Sequence, residues 1–434
     1  MDVSVKRSSK VELLCPKTNF QNECREPSIM MKFIPTRAAG LAVMQAFTPA
    51  MGHSYETRRN YDYGLGKHSS VSVLSPYIRR RLVTEQELVA AALALHGPQV
   101  ANTYIEEVIW RGYFKGWLER RPQVWDSYVE GLKADLMSLK RDRRMRRDVD
   151  FATSGQSGID CFDMWAQELV ETGYLHNHAR MWFASIWIFT LGLPWRLGAD
   201  FFFRHLLDGD AASNTLGWRW VAGLHTRGKP YPARPQNIEM FTSGRFAPQH
   251  NDLAEVTQGL EATEPDGLPT LMPIRAVRAP QTGVTTALLI TDEDCNLEDF
   301  DLSNLNICSV ATLTCSHLRS PLTVAEDVLA FEIGALADAA KRQNVTPVCL
   351  TASDPECLAN WMAGTGAKQL LTPFVTRGPL RDWLDQAELI LTARGLSISE
   401  YRRDWDDAIW PHATAGFFKI RKNIPQILAQ TVLA

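Results

Sequence analysis

The spacing of hydrophobic residues along this chain changes near residue 250. Between residues 33 and 245, apolar and aromatic side chains recur at helical spacing, and few runs alternate with β-branched residues. Helical spacing places the apolar side chains on one face, where they can pack against a core. The first half of the chain is therefore predicted to form an all-α domain over residues 32–246.

Two helix starts can be located within this domain. Ser75 precedes Pro76, which suggests a serine N-cap followed by proline at the first helical position. Thr84 and Glu87 have the spacing of a capping box, and an apolar run at 88–95 follows them. We expect one helix to begin just after Ser75 and another just after Thr84.

The second half follows a different pattern. Prolines are frequent in residues 247–284, which predicts an interdomain linker. Over residues 285–434, short apolar and β-branched runs alternate with helical segments, which predicts a smaller α/β domain with a parallel, Rossmann-like sheet. The predicted strands are 287–291, 307–313, 345–350 and 369–375, and the predicted helices are 324–343, 354–364 and 379–394. No glycine-rich phosphate-binding motif follows these strands.

Length and composition agree with a two-domain protein. The 434 residues exceed the usual size of one core, and no apolar run reaches the length of a membrane span. Residues 1–31 lack the features of a secretory signal, so we expect a disordered leader or a mis-annotated start, with Met30 and Met31 as alternative first residues. The eight cysteines lack metal-site spacing, which predicts reduced thiols, no metal and a soluble cytoplasmic protein.

Charge is distributed unevenly between the halves. The net charge is -3, yet residues 51–250 hold 25 Lys and Arg against 21 Asp and Glu. A basic helical half beside an acidic second half fits a nucleic-acid surface confined to one domain, and a solvated charged face explains it equally well. Two basic groups in this half are candidate phosphate contacts, namely residues 140–147 and the group Arg227, Lys229 and Arg234.

One stretch of the helical half, residues 173–220, combines many residue types that carry chemistry. It contains GYLHNHARM, a tryptophan at position 195, and LDGDAASNTLGWRW. On helices, Asn177 shares a face with Met181, and Asn214 shares a face with Trp218. Upstream, Glu107, Trp110 and Arg111 also share one face, which brings together an acid, an aromatic ring and a cation.

In order and spacing, these motifs resemble the FAD-binding core of the photolyase and cryptochrome family. The matching elements are GxxHNxxRM, DGDxAxN and a closing GWxW, preceded by ExxWR at 107–111, SVLSP at 72–76 and YxxxR at 55–59. The resemblance covers roughly residues 40–246. It implies an FAD cofactor bound in the helical domain.

The resemblance also assigns cofactor contacts. The diphosphate is expected near Tyr55, Ser72, Ser75 and Arg111, where the free N–H groups of a helix start would favour an anion, although Ser75 could instead merely cap. At the flavin ring, the family pattern implies an ion pair between Arg180 and Asp208, with Asp210 beside it and Asn214 facing N5. Such a buried pair is costly and seldom serves stability alone.

Five side chains indicate which branch of the family is most similar. Glu107, Trp110, Asn177, Met181 and Trp220 all match cyclobutane pyrimidine dimer photolyases, in which the acid hydrogen-bonds the flipped lesion and the tryptophans hold it. We therefore expect a light-driven DNA-repair lyase acting on UV-damaged DNA. A cryptochrome-like photoreceptor is the alternative, and a (6-4) photolyase is a weaker one because that branch has His at positions 177 and 181.

Three features depart from the family pattern. His178 stands where repair enzymes usually have Arg, which would weaken a DNA contact or make it pH-dependent. Trp218 and Trp195 match the first two members of the electron-transfer chain, but the third position falls near Asp142; Trp182 and Trp187 are interpreted as core. The α/β domain follows the FAD domain, which suggests circular permutation, and a folate or deazaflavin antenna is possible at the domain interface.

Overall fold

Residues 33–255 and 257–432 are described by a computed structural model, so the expected leader at 1–31 lies outside the described residues. The helical half contains α1 (Arg37–Phe47), α2 (His53–Arg58), α3 (Ser75–Arg79), α4 (Glu85–Val100), α5 (Asn102–Glu119), α6 (Pro122–Arg141), α7 (Arg143–Thr153), α8 (Asp160–Thr172), α9 (Asn177–Ser185), α10 (Trp195–His205), α11 (Ala211–Val221) and α12 (Pro235–Phe241). A π-helical turn, Ile186–Thr190, continues α9. The helical fold expected for this half is confirmed.

Local sequence explains where two of these helices begin. The capping box at Thr84 is present, because its hydroxyl accepts from the amide of Glu87 and the Glu87 carboxylate accepts from the amide of Thr84. The N-cap assignment of Ser75 was wrong by one position, since Ser75 is the first residue of α3 and Leu74 precedes it. Proline then occupies the second helical position, where its missing N–H has no partner to lose.

The second half forms a five-stranded sheet in which every strand pair is parallel. The strands are β1 (Thr285–Thr291), β2 (Asn306–Thr314), β3 (Val348–Thr351), β4 (Gln369–Pro373) and β5 (Ser397–Tyr401), in the order β3-β2-β1-β4-β5; the helices between them are α13 (Glu326–Arg342), α14 (Glu356–Thr365) and α15 (Pro379–Ala393). The predicted parallel α/β sheet is confirmed. Sequence analysis missed β5, whose SISEY pattern contains only one strongly apolar residue.

After β5 the chain leaves the sheet and returns to the helical half. It forms α16 (Asp404–Ile409), α17 (Phe418–Arg421) and α18 (Ile424–Thr431), and α16 packs against α5. Two glycines of α5 make this approach possible, because a Cβ at Gly116 would lie 2.7 Å from Trp410 and one at Gly112 would lie 3.0 Å from Ile409. The buried apolar residues of this return segment belong to the helical core.

Residues 247–284, the predicted linker, form only short elements where the structure describes them. Two 3-10 turns, His250–Asp252 and Glu261–Thr263, interrupt an otherwise irregular path. The path is tied down by backbone hydrogen bonds from Leu260 to Ala222 and from Met272 to Arg120, of 2.9 and 2.8 Å. The linker therefore runs along the helical half before it reaches the sheet.

Charged side chains connect the sheet to the helices. Glu293, just beyond β1, accepts from the Arg79 guanidinium at 2.6 Å and from Lys115 Nζ at 3.1 Å. Arg81 contacts both carboxylate oxygens of Asp406 at 2.7 and 2.8 Å. Within the described part of the chain, no helix has the length and apolar character needed to cross a membrane.

Candidate functional site

Three helices that carry the predicted site residues meet in the helical half. Helix α11 packs against both α5 and α9. Helix α5 provides Glu107 and Trp110, and α9 provides Asn177 and Met181. Helix α11 provides Asn214, Trp218 and Trp220. The sequence motifs, although up to 113 positions apart, are therefore on neighbouring elements.

The Arg180–Asp208 ion pair is positioned by a glycine. Gly173 ends α8 in the left-handed conformation, with φ of 65°, and a Cβ there would lie 2.6 Å from Leu207. Its carbonyl oxygen accepts from the Leu207 amide at 2.8 Å, which fixes the turn that carries Asp208. Arg180 then contacts Asp208 through two hydrogen bonds of 2.8 and 3.1 Å.

This pair holds a fixed charge inside the domain. Burial raises the pKa of Asp208, but Arg180 and the hydroxyl of Ser75 outweigh burial and keep the pKa below its usual value. The Nε of Arg180 also donates to the backbone oxygen of Leu175 at 2.8 Å. The ionised form of the Asp208 carboxyl is therefore favoured, and three hydrogen bonds hold the guanidinium in one orientation.

Asp210 caps α11, and two basic side chains lie close to one of its carboxylate oxygens. Its side chain accepts from the Ser213 amide at 2.9 Å. Lys115 Nζ lies 3.2 Å from Asp210 Oδ2, and Arg111 lies 3.5 Å from the same oxygen. Burial alone would raise the pKa of Asp210, yet Lys115, Arg111 and Arg79 depress it strongly. Asp210 thus links the start of α11 to α5.

The guanidinium of Arg111 has more protein partners than the sequence suggested. Besides Asp210, its Nε donates to Glu85 at 3.0 Å, and its terminal nitrogen donates to the backbone oxygen of Arg79 at 3.2 Å. Its side chain is 14% exposed. To contact the FAD diphosphate, Arg111 would have to do so in addition to these hydrogen bonds and ionic contacts. Its role as a diphosphate ligand stays a prediction.

The remaining diphosphate candidates are Tyr55 of α2 and two serines, Ser72 before α3 and Ser75 at its first position. Tyr55 packs edge-on against Tyr104 with ring centroids 5.0 Å apart, and burial raises the pKa of Tyr55 well above its usual value. Ser72 precedes Val73, a non-glycine residue with φ of 53°, so the chain turns sharply between Ser72 and Ser75. Helix α3 has only five residues. Its free amides, more than a helix dipole, are what it can offer an anion.

Asn214 and Trp218 lie on one face of α11, as expected. The amide nitrogen of Asn214 donates to the backbone oxygen of Ala199 at 2.8 Å, which leaves its carbonyl oxygen as an acceptor. Trp218 is 3% exposed and stands edge-on to Trp187 and Phe202, with centroids 6.2 and 5.1 Å away. Trp195 is also buried and neighbours Tyr128 at 5.8 Å.

Glu107 is partly buried and has one ionic partner. Arg59 Nε lies 3.3 Å from its carboxylate, which joins the end of α2 to α5. Burial raises the pKa of Glu107 above that of an ordinary glutamate, although Arg59 acts in the opposite direction. The protonated, hydrogen-bond-donating form of this acid is therefore favoured by its surroundings.

Two further pocket candidates come from α9. Asn177 is exposed at the first position of the helix, and Met181 is half-buried one turn later. Trp220 of α11 is half-buried beside Tyr231, with ring centroids 5.3 Å apart. Asn177, Met181 and Trp220 are therefore all at least partly accessible to solvent.

His178 is not placed as a surface contact. It is 8% exposed, stacks on Trp182 at 4.3 Å, and its two ring nitrogens face the backbone oxygen of Asn60 and the hydroxyl of Tyr231. Burial lowers its pKa. This packing favours a neutral, structural histidine, so the predicted pH-dependent DNA contact has no support from its geometry. Trp182 donates to Asn237 at 2.9 Å, which agrees with its interpretation as core.

The basic groups lie at the surface. Asp142, at the position expected for a third tryptophan, caps α7 by accepting from the amides of Arg144 and Met145. Most of residues 140–147 are exposed, and so are Arg227, Lys229 and Arg234. Both groups are accessible to phosphates, and both are equally compatible with plain solvation.

Several residues that shape this site were missed by sequence analysis. Gly198 of α10 is required because a Cβ would lie 2.3 Å from the Trp218 ring, and Lys115 holds Asp210. Lys115 could have been found, since it lies one helical turn beyond Arg111 on α5. Tyr231 contacts His178, and Phe417 contacts Trp110. Both come from distant segments without a recognisable motif.

The hydrogen-bond donors and acceptors of this site suit a flavin. A ring system with adjacent hydrogen-bond donors and acceptors needs fixed polar partners, and the Arg180–Asp208 pair together with the acceptor of Asn214 provides them. The Ser75 hydroxyl contacts Asp208, and the Ser72 hydroxyl contacts Tyr104. These are the residues that would hold FAD.

Comparison with known proteins agrees with this geometry. Residues 104–249 match the family described as the FAD binding domain of DNA photolyase. The deoxyribodipyrimidine photo-lyase of Alkalihalophilus pseudofirmus is 30% identical over 192 residues, which is 43% of this chain and 38% of that protein. The enzyme of the same name from Streptomyces griseus is 34% identical over 165 residues, or 37% and 34% of the two chains.

Among solved structures, a class III photolyase from Agrobacterium tumefaciens is similar, with 24% identity, a TM-score of 0.41 and coverage of 48% of this chain and 43% of that one. The chain spans well under half the length of the curated relatives it matches. The matched segment contains α5, α9 and α11 with their site residues. Residues 104–249 of this chain are therefore similar to the FAD binding domain of DNA photolyase.

Proposed function

We propose that this protein is a light-driven DNA-repair lyase that splits cyclobutane pyrimidine dimers in UV-damaged DNA. When bound, reduced and photoexcited, FAD would be the source of one electron for the dimer; this electron returns once the two C–C bonds that join the pyrimidines have broken, so the reaction has no net redox change. The observation that carries the proposal is the meeting of α5, α9 and α11, which gathers an acid, two accessible tryptophans and the Arg180–Asp208 pair.

Glu107 would bind the lesion through its carbonyl groups. Its surroundings raise its pKa, so the carboxylic acid can donate a hydrogen bond to a pyrimidine oxygen. Negative charge develops on that oxygen after electron transfer, and a donor already in place stabilises it. Arg59, 3.3 Å away, would fix the orientation of the acid.

Trp110 and Trp220 would hold the extruded bases by apolar contact. A lesion leaving the duplex gives up its stacking, and an aromatic surface replaces roughly 1 to 3 kcal/mol per base. Both rings are half-buried, so each is fixed by the protein and still presents a surface. Asn177 and Met181 would complete the pocket from α9.

The Arg180–Asp208 pair and Asn214 would bind and orient the flavin. The fixed guanidinium favours a reduced, anionic ring, and the Asn214 oxygen offers an acceptor. Trp218 and Trp195 would deliver the electron that reduces the flavin before repair begins. With Asp142 at the third position, Tyr128 beside Trp195 is the next aromatic group in that direction.

A direct assay tests the repair proposal. Chemically reduced protein is mixed with an oligonucleotide containing one thymine dimer and illuminated with near-UV or blue light. We expect the dimer to disappear in light, to persist in a dark control, and to persist in light with Trp110→Ala protein that still contains FAD. Equal dimer content in the lit and dark samples of the unmodified protein would contradict the proposal.

A second chromophore is a separate question. Doubly wound sheets bind ligands where strand order reverses, here between β1 and β4. In this chain Glu293 bridges that crevice to Arg79 and Lys115, and the adjoining cavity has a volume of only about 20 Å³. We infer that the domain at 285–434 is a displaced antenna domain whose crevice contacts the helical half instead of holding a second chromophore. An absorption spectrum with a folate or deazaflavin band beyond the flavin bands would show that a second chromophore is bound and would contradict this inference.

A photoreceptor is the second candidate function. The observation that favours it is the direct contact between the site helix and the return segment, where the Tyr113 hydroxyl donates to the backbone oxygen of Ala415 at 2.9 Å. Light-driven change near the flavin could then reach the C-terminal segment. Limited proteolysis of dark and lit samples tests this idea, and identical cleavage of residues 404–432 would count against it.

A further inference from the structure

Trp110 stacks face to face on Phe417 from the return segment. The ring centroids are 3.9 Å apart and the planes differ by 7°. The two residues are separated by 307 positions, so this contact exists only because the chain returns to α5 after the sheet. One face of the tryptophan assigned to the lesion is therefore covered by the protein itself.

The segment carrying Phe417 is anchored on both sides. Before it, the Tyr113 hydroxyl donates to the Ala415 oxygen at 2.9 Å, and Arg121 donates to the Thr414 oxygen at 2.8 Å. After it, Arg421 Nε contacts Glu106 at 2.6 Å. Every one of these partners lies on or next to α5. Phe417 is thus held by the same helix that carries Trp110.

Burial distinguishes a supporting residue from a plug. Phe417 is 7% exposed and also meets Tyr113 edge-on at 5.7 Å, whereas Trp110 is half-buried. A plug inserted into an open pocket would itself be solvent-accessible on the pocket side. Phe417 covers one face of Trp110, so the solvent-accessible part of the half-buried Trp110 ring lies outside this stacking contact.

We propose that Phe417 is a positioning residue for Trp110: it backs one face of the tryptophan so that the opposite side is presented, rigid and flat, to an extruded base. This inference rests on the proposed function and names a part of the site outside the segment that matches the family. An aromatic ring that stays fixed on binding loses less rotamer entropy, and stacked pairs reinforce one another. The sheet domain and its return segment would thus contribute to lesion recognition.

Phe418 provides a matched control. It has the same side chain one position later, and it is 74% exposed. Truncation of Phe418 removes an equal apolar volume from the same segment without touching Trp110. Three variants separate the possibilities: Phe417→Ala, Phe418→Ala and the conservative Phe417→Tyr, which keeps the stacking ring.

The experiment measures dark binding of each FAD-loaded protein to dimer-containing and undamaged oligonucleotides, and repair by the bound complex. We expect Phe417→Ala to lose about tenfold in affinity for the dimer alone, the size of one lost aromatic contact. Its flavin content, affinity for undamaged DNA and repair per bound complex should remain those of the parent. Phe417→Tyr and Phe418→Ala should bind the dimer like the parent.

Other outcomes overturn the proposal in distinguishable ways. Tighter dimer binding by Phe417→Ala would identify Phe417 as a plug, and unchanged binding would show that Trp110 needs no support. An equal loss for Phe418→Ala would indicate a general effect on the segment. If the unmodified protein neither prefers dimer-containing DNA nor repairs it, the proposed function fails, and the role of Phe417 fails with it.

Discussion

Gly198 of α10 faces the indole of Trp218 so closely that a Cβ at this position would lie 2.3 Å from the ring. Helix α10 can therefore approach α11 only because residue 198 has no side chain. The contact fixes the position of the Trp218 ring on the face of α11 that also carries Asn214, one turn earlier.

Gly198→Ala should consequently disturb both packing and electron transfer. We expect a loss of roughly 1 to 3 kcal/mol in the free energy of unfolding, typical of an overpacked core, together with slower flavin photoreduction. Gly217→Ala is the control, because open space surrounds that position in α11 and alanine favours a helix. Chemical unfolding and photoreduction kinetics measure the two effects. Equal stability of both variants would show that α10 can shift freely.

Breaking the Arg180–Asp208 pair should be costly at neutral pH. Asp208→Asn leaves the guanidinium without its counter-charge in a largely buried place, and we expect a loss of about 3 kcal/mol and weaker FAD retention. Because the folded pKa of Asp208 is lowered, its stabilising effect is present above the ordinary pKa of aspartate and is lost as pH falls through the lowered value.

The difference in unfolding free energy between Asp208→Asn and the parent should therefore shrink in acid. Asp148→Asn is the matched control, because the Arg144–Asp148 pair is exposed and should contribute less than about 1 kcal/mol. Urea unfolding at several pH values makes the comparison. A pH-independent difference would mean that Asp208 is not ionised in the folded protein.

Glu107 should give repair a distinctive pH dependence. The protonated acid is the donor, and its pKa is raised, so repair should persist above the ordinary pKa of glutamate and decline as pH rises through the raised value. Glu107→Gln donates at every pH and should flatten the profile. Repair per absorbed photon, at constant flavin reduction, is the measurement. Parallel profiles for the two proteins would assign the titration to another group.

Electron delivery to the flavin should depend on Trp195. Trp195→Phe is expected to slow photoreduction several-fold while leaving repair by chemically reduced protein intact, because repair needs no external electron. Trp187→Phe tests the neighbour that stands edge-on to Trp218 at 6.2 Å. Time-resolved flavin absorption distinguishes the two. If Trp187→Phe slows reduction and Trp195→Phe does not, the electron enters through Trp187.

Sequence alone predicted the parts of the fold that depend on neighbouring residues. The capping box at Thr84, the helical half and four strands of the sheet follow from local spacing, and these were confirmed. Strand β5 was missed because its sequence, SISEY, lacks the continuous apolar run that marks the central strand β1. The motif-bearing helices could be identified, because catalytic residue types at helical spacing leave a recognisable pattern.

Contacts between distant segments could not be predicted in this way. The expected surface role of His178 depends on exposure, and its burial arises from packing against Trp182 and Tyr231. The stacking of Phe417 on Trp110 depends on the path of the chain after β5. Neither contact leaves a periodic signal, since the partners are not neighbours on one element.

The return of residues 404–432 to α5 also has a consequence for synthesis. During translation, α5 emerges long before α16, so Gly112 and Gly116 remain without Ile409 and Trp410 until those residues are made. The helical half must wait for this later segment, although N-terminal domains usually complete folding first. A ribosome that stops after β5 would release a chain whose flavin domain still exposes the apolar side of α5, which makes it a natural substrate for chaperones and proteases.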